Sequence, residues 1–377
     1  MTMIARVTLE IALRKEFDYL VPEEFQDRVE IGSRVKVPFG PRKVMGVVTG
    51  LPAQSEHAKL KPILGVVGKG SFVTPKVLEL ARWMAGYYCC PVETALKSVL
   101  PVSVRKEKEG WKKQLYVRSI EPVGSPSKLT KRQEELNAVL REWKELPLQE
   151  FLKMTQSTQA TVKKLESAGV ALISREVIER DPYAHEHIVP TEPLELNQEQ
   201  KTSMDAVLKA MNHEQAAKQS NVFLLHGVTG SGKTEVYLQA IQHALEQGKG
   251  AIVLVPEISL TPQTVERFKA RFSSGKYQTL VAVLHSHLSE GERHDEWHKI
   301  KEGRARIVIG ARSAVFAPID PLGLIIVDEE HGHSYKQEEA PRYHARDVAV
   351  VRAQREKAVV ILGSATPSME TYYNTQK

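Results

Sequence analysis

The chain has 377 residues, of which 42% are hydrophobic and 26% charged, a composition that suits a soluble globular protein with room for two or three domains. No apolar run approaches the eighteen or so residues a membrane span needs, so a membrane role is not expected. The net charge of +6 permits a polyanionic partner without requiring one.

The opening residues place Arg6, Glu10, Arg14, Lys15 and Glu16 among their apolar neighbours, which breaks the continuous core of a secretory signal. The only cysteines, Cys89 and Cys90, are adjacent, poorly placed for a disulfide and too few for a zinc site. Both features fit a cytoplasmic protein. Short alternating segments fill the first hundred residues. In "SRVKVPFGPRKVMGVVTG" from Ser33, Val35, Val37 and Phe39 share one face, while Arg34 and Lys36 share the other, which predicts a small β-rich domain, barrel-like, over residues 1–108. A helix follows in "TPKVLELARWMAGYY", with Thr74 as cap and Pro75 at the first helical position.

Charge and glycine at 107–110 mark a boundary, and "EPVGSPSK" at 121–128 reads as a linker. The stretches "LTKRQEELNAVLREWKEL", "PLQEFLKM" and "STQATVKKLESAGV" have helical periods, with Gly169 near a C-cap, and "ALISREVIER" reads as a strand. Three short helices and a strand hairpin over 109–185 suggest a winged helix; a packing or protein-contact module has the same pattern. Beyond "DPYAHEHIVPTEP" strand, loop and helix repeat, and the strands are apolar throughout, as parallel strands buried on both faces must be. The fold class expected is therefore multidomain α/β, with a parallel lobe at 186–377.

Within that lobe "GVTGSGKT" spans Gly227, Val228, Thr229, Gly230, Ser231, Gly232, Lys233 and Thr234, between an apolar strand and a helix. This is the context of a phosphate loop, whose glycines let backbone N–H groups close around phosphates at a helix N-terminus. Lys233 is expected to hold the β and γ phosphates and Thr234 to ligand Mg²⁺. About a hundred residues later "LIIVDEEH" brings acids to a strand end. There Asp328 would hold Mg²⁺ through water and Glu329 would orient and deprotonate the attacking water. ATP and Mg²⁺ are thus the expected cofactors. His285, His287, His331, His333 and His344 lack a metal-site pattern and read as surface or coupling residues.

These motifs converge. Asp328–His331 spell DEEH, the DExH box of superfamily 2 helicases, and Gly363–Thr366 spell GSAT. With "VPEISLTPQTVERF", "IGARSAVFAP", "SYKQEEAPRYHARD", "FDYLVPEEF" and "RVKVPFG", the chain resembles the PriA-type family of replication-restart helicases, the primosomal protein N′ family. The resemblance implies an OB-like first domain that binds a 3′ DNA end through Phe17, Asp18, Tyr19 and Lys61, a winged-helix domain and a RecA-like lobe. It implies that Gln200 reads adenine, with the adjacent Gln198 the weaker choice, and that Arg312, Tyr335, Lys336, Tyr343, His344 and Arg346 contact DNA. His331, Ser364 and Thr366 would couple the DNA-binding and ATP-binding sites.

The implied function is an ATP-dependent 3′-to-5′ DNA helicase that recognises branched forks and starts primosome assembly. Its partners would be branched and single-stranded DNA, single-strand-binding protein and primosome loader proteins, and it would work in the bacterial cytoplasm at the nucleoid. A fork-binding adaptor using ATP only as a switch, or another superfamily 2 translocase, is the alternative. Full-length members continue into a second lobe with a zinc-binding insertion, so this chain is expected to bind DNA and nucleotide but hydrolyse little. Three departures stand out: Gly332 and His333 follow DEEH, Ala311 replaces a usual threonine, and Cys89 and Cys90 replace a common histidine pair.

Overall fold

The computed structural model describes residues 3–9, 11, 15–68, 70–71, 73–101, 112–120, 129–178, 180, 188–212, 221–273 and 277–376. The expected boundary at 107–110, the linker at 121–128 and the stretch 181–187 lie outside them. Two compact units make up the chain, Met1–Gly110 with Asp181–Lys377, and Trp111–Arg180. No helix among the described residues is long and apolar enough to cross a membrane.

The first unit opens with an antiparallel sheet of β1 (Met3–Leu9), β2 (Phe17–Val21), β3 (Arg34–Phe39), β4 (Arg42–Gly50) and β5 (Gly65–Val67), in the order β2-β1-β4-β3-β5. Alternation governs it as expected, since Ala5, Val7, Leu9, Tyr19, Val21, Val35 and Val37 all point into one core. Gly40, at φ +56°, makes the tight turn between β3 and β4. Arg34, on the face opposite Val35 and Val37, is buried. It lies near enough to help depress His298, whose pKa burial and the neighbouring His294 hold at about 4.

After the short α1 (Glu23–Gln26) come α2 (Pro75–Tyr87) and α3 (Val92–Val99). Thr74 caps α2 by accepting from the Val77 N–H, with Pro75 at N1. The buried face of α2, with Val77, Leu80, Ala81 and Met84, shares one core with residues of the parallel lobe. Residues 1–110 and 181–377 form one compact unit.

The second unit pairs β6 (Lys112–Ser119) with β7 (Glu145–Pro147) and β8 (Ala171–Ile178), in the order β7-β6-β8, all antiparallel. Its helices are α4 (Lys131–Trp143), α5 (Leu148–Thr155) and α6 (Gln159–Ser167). Thr130 and Gln133 form a capping box on α4. Val117, Leu136, Leu140, Phe151, Val162 and Leu165 build a core of its own.

The lobe is a six-stranded parallel sheet of β9 (Val222–His226), β10 (Gly250–Leu254), β11 (Leu280–Leu284), β12 (Ala305–Gly310), β13 (Leu322–Asp328) and β14 (Val359–Ser364), in the order β11-β12-β10-β13-β14-β9. Alternate residues serve opposite faces. Ala251, Val253, Ile307, Ile309, Leu324 and Ile326 pack under α7 (Gln198–Asn212), α8 (Lys233–Glu246) and α9 (Pro262–Phe272). Ile252, Leu254, Val308, Ile325 and Val327 pack under α10 (Glu290–Lys301), α11 (Ala345–Glu356) and the α2–α3 pair. A last helix, α12 (Met369–Asn374), follows β14. The strands' C-terminal ends therefore converge on one edge, where parallel sheets bind ligands.

Candidate nucleotide site and its neighbouring loop

Gly227–Thr234 runs from the end of β9 into α8. Gly230 and Gly232 adopt φ +81° and +82°, the left-handed region that glycine enters without cost. A Cβ at Gly232 would lie 2.4 Å from Gln200 Nε2. Gln200 braces the loop: its Nε2 donates to Ser231 O at 2.8 Å, and it shares a reciprocal pair of bonds with Asn197. The structure thus gives Gln200 a loop-supporting contact.

Lys233 Nζ donates to Gly227 O at 2.6 Å and Val228 O at 3.2 Å, which folds the ammonium onto the loop. Asp328 ends β13, opposite Gly363 of β14 in register. Its Oδ1 accepts from Tyr237 Oη at 2.9 Å. Burial raises its pKa, against the Tyr237 bond, with the Glu329 charge adding to the rise. Glu329 sits at φ +47°, a strained conformation for a non-glycine residue and one that concentrates at functional sites.

His331 Nδ1 lies 2.8 Å from Ser364 Oγ and 3.6 Å from Glu329 Oε2, and Ser364 Oγ accepts from the Thr366 N–H at 3.0 Å. The three residues expected to couple are therefore together, beside Glu329. A cleft of about 590 Å³ is lined by Thr229, Gly230, Lys233, Thr234, Asp328 and Glu329. Its far wall includes Thr191 and Leu194, pinned by a buried clamp. Arg271 grips both oxygens of Glu235 at 3.0 Å, and Glu235 Oε1 also accepts from the Leu194 N–H at 3.1 Å. Burial alone would raise the Glu235 pKa, but Arg271, Gln239 and the Leu194 N–H together hold it below the ordinary value.

The residues after the acidic box depart from expectation. Tyr335 is fully buried and donates to Asp328 O and, at 3.1 Å, to Leu254 O; burial pushes its pKa far up. Tyr343 is buried edge-on to Phe316 at 5.2 Å, with its pKa raised by burial to about 12. Neither ring is open to a base. Arg346 Nη1 donates to the buried Glu330 at 2.9 Å and to Ser368 Oγ at 2.9 Å, so it closes an internal ion pair. Arg312 donates to Lys336 O and Lys336 Nζ to Arg342 O, both at 2.6 Å. His344 stands at the N-cap position of α11 without a side-chain bond to the helix, and burial lowers its pKa. Lys336 remains on the surface, with Arg312 and His344 half-buried.

In the N-terminal sheet Phe17 and Asp18 belong to β2, and the backbone of Lys61 joins the same strand where the Leu20 N–H donates to Lys61 O. Arg6 holds both oxygens of Asp18 at 2.9 and 3.2 Å, and Ser55 Oγ donates to Oδ2 at 2.7 Å. The Arg6 bond lowers the Asp18 pKa most, against burial. Phe17 is half-buried, edge-on to Phe39, with Lys15 Nζ 5.9 Å from its ring centroid. Tyr19 is a core residue, 5% exposed, donating to Pro38 O. Tyr19 and Val21 are the buried residues of β2, so Tyr19 faces the core and not a base.

Residues 6–101 match the family model described as 3'DNA-binding domain (3'BD), and residues 197–375 match that of the DEAD/DEAH box helicase. Over 446 aligned residues the chain is 37% identical to the replication restart protein PriA of Bacillus subtilis (strain 168), covering 99% of this chain and 54% of the relative. It is 38% identical to the PriA proteins of Haemophilus influenzae and Chlamydia muridarum, each over 99% of this chain and 50% of the relative. The chain belongs to the PriA family. It spans about half the length of these curated relatives. A solved structure of RecG bound to a three-way DNA junction matches 48% of this chain and 22% of its own, at 26% identity and a TM-score of 0.35, a likeness too distant to bear on function.

The cleft of this PriA-family chain fits a nucleoside triphosphate and Mg²⁺ on its own geometry. The left-handed glycines open the loop at the N-terminus of a fourteen-residue helix, where backbone donors and the helix dipole favour phosphate. The hydroxyl of Thr234 and the carboxylate of Asp328 face the same cleft, an oxygen donor pair of the kind Mg²⁺ takes alongside phosphate oxygens. Two residues with contacts at this site, Glu330 and Tyr237, escaped sequence reasoning. Glu330 accepts from Ser368 N at 2.7 Å, from Arg346 and from Thr371 Oγ1, so the third letter of DEEH is an anchor for α12. Tyr237, one helical turn beyond Lys233, reaches Asp328; its position in "KTEVYL" was the available signal.

Proposed function

We propose that this chain supplies the nucleotide-binding lobe and the DNA-end-reading domain of an ATP-driven DNA helicase that works 3′ to 5′ at branched replication forks. The observation that carries the reading is a single cleft presenting Lys233, Thr234, Asp328 and Glu329 at the C-terminal edge of one parallel sheet. A triphosphate held by the loop amides would draw the Lys233 ammonium from the carbonyls of Gly227 and Val228 to its β and γ oxygens. Thr234 and Asp328 would hold Mg²⁺, which supplies neutralising charge to those oxygens when bound. Glu329, turned off the strand by its left-handed backbone, would take the proton of the attacking water.

Motion would leave the site through His331, which joins the acidic box to Ser364 of GSAT. DNA would enter through two surfaces. The β2 edge offers Asp18 as acceptor for a 3′-hydroxyl, with Phe17 and Lys61 beside it, and the surface around Lys336 offers cations to phosphates. The acceptor role would require Asp18 to share a lone pair between Arg6, Ser55 and the DNA end. Fork recognition of this kind would bring single-strand-binding protein and primosome loaders as partners.

Titration of Mg·ATP into the wild-type chain and into Lys233→Ala tests the reading. The variant should lose about tenfold or more in ATP affinity while its affinity for forked DNA stays unchanged. Equal ATP affinities would overturn it.

A further inference from the structure

We propose that Tyr237 is a positioning residue that fixes the Asp328 carboxylate for the divalent cation, an inference that rests on the nucleotide reading of the same cleft. Residues 233 and 237 of α8 stand one turn apart on one helix face. The phosphate-binding lysine and the tyrosine therefore move as one piece. Tyr237 is 2% exposed, and a buried phenol must find a hydrogen-bond partner. Its partner is the carboxylate itself, with Oη donating to Asp328 Oδ1 at 2.9 Å. A bond to an ionised acceptor is stronger and more directional than one between neutral groups.

Room for that hydroxyl comes from the GSAT strand. A Cβ on Gly363 would lie 1.6 Å from Tyr237 Oη, 2.8 Å from its Cζ and 3.3 Å from Asp328 Oδ1. Any side chain at 363 would expel the hydroxyl from its place. Three segments thus meet at one oxygen: the phosphate-loop helix, the acidic strand and the strand of GSAT, the last two in register at Asp328 and Gly363. The main chain of Asp328 is held separately, through its carbonyl, by Tyr335. Tyr237 is the described side chain that hydrogen-bonds the carboxylate, beside the main-chain N–H of Glu329, so it fixes one oxygen of Asp328 in place.

The test is binding of a fluorescent ADP analogue, mant-ADP, to the wild-type chain, Tyr237→Phe, Gly363→Ala and Lys233→Ala, first in EDTA and then across a MgCl₂ titration. Thermal melting of each protein without nucleotide runs alongside. Tyr237→Phe keeps the ring and its packing. It should bind mant-ADP in EDTA as the wild type does, while the Mg²⁺ concentration at half-effect rises about tenfold. Gly363→Ala should shift the midpoint in the same direction; if it does not fold, Tyr237→Phe decides.

An unchanged Mg²⁺ midpoint in Tyr237→Phe would overturn the proposal, and so would an equal loss of binding with and without Mg²⁺, which would mark Tyr237 as a packing residue. Loss of binding in Lys233→Ala beside either result would leave the nucleotide reading intact. A wild-type chain that binds no mant-ADP would overturn both.

Discussion

Glu330 and Arg346 show how burial reassigns a charged residue. Glu330 is fully buried, and burial works to raise its pKa. The Ser368 N–H, Arg346 and Thr371 bonds outweigh it and hold the carboxyl below its ordinary value. Removing Arg346 would strand that carboxylate, a loss of about 3 to 5 kcal/mol for a buried pair. Arg346→Ala should therefore lower the urea midpoint of unfolding at neutral pH. Because the folded pKa is depressed, the pair's contribution is complete above the ordinary glutamate range and fades as pH falls through the lowered value. The deficit of Arg346→Ala against wild type should shrink accordingly in urea titrations carried down in pH. A variant as stable as wild type at neutral pH, with only DNA binding impaired, would return Arg346 to the surface role.

The same contrast explains what single residues disclose in the sequence. That Lys233, Thr234, Asp328 and Glu329 would share a cleft was legible because a phosphate loop is marked by local spacing and the acids by the apolar strand they end. Tyr335, Tyr343 and Tyr19 were misplaced, since a tyrosine in a polar loop or alternating strand has no local mark of which way it faces. Tyr237 and Glu330 depend on the pairing of β13 with β14, which no local pattern contains.

At the scale of elements, continuous apolar runs identified the parallel strands, and the caps at Thr74 and Pro75 formed as the sequence indicates. β6 went unrecognised because "KKQLYVRS" is half charged or polar and half-buried along most of its length; it becomes a strand by pairing with β8 across eight residues. That pairing, with three helices over a separate core, makes residues 112–180 a unit able to fold alone. Expressed by themselves they should melt cooperatively. Phe151, which is fully buried at the centre, should cost about 3 to 5 kcal/mol on truncation to alanine. Because small domains have little stability to spare, Phe151→Ala should leave this fragment largely unfolded by circular dichroism. A gradual melt in the parent fragment, or indifference to Phe151, would contradict an autonomous core.

Across the whole molecule, the sequence separates an N-terminal domain from the lobe by composition, but the packing joins them. Leu80 and Met84 of α2 lie in one core with Trp297 and Val348 of the lobe. The Lys76–Asp320 ion pair at 2.8 Å is exposed and adds little beside that apolar contact. A domain matching a 3'DNA-binding model and a cleft lined by the phosphate-loop residues therefore share one folded body. The claim that this body is directed by DNA ends, and is not a nucleotide-binding protein of another kind, is tested most directly by fluorescence anisotropy. One labelled fork would end its nascent strand in a free 3′-hydroxyl, and an otherwise identical fork in a 3′-phosphate. The hydroxyl fork should bind more tightly by about tenfold, as loss of a hydrogen bond to a carboxylate predicts, and Asp18→Ala should erase the difference. Equal affinity of the wild-type chain for the two ends would contradict the account.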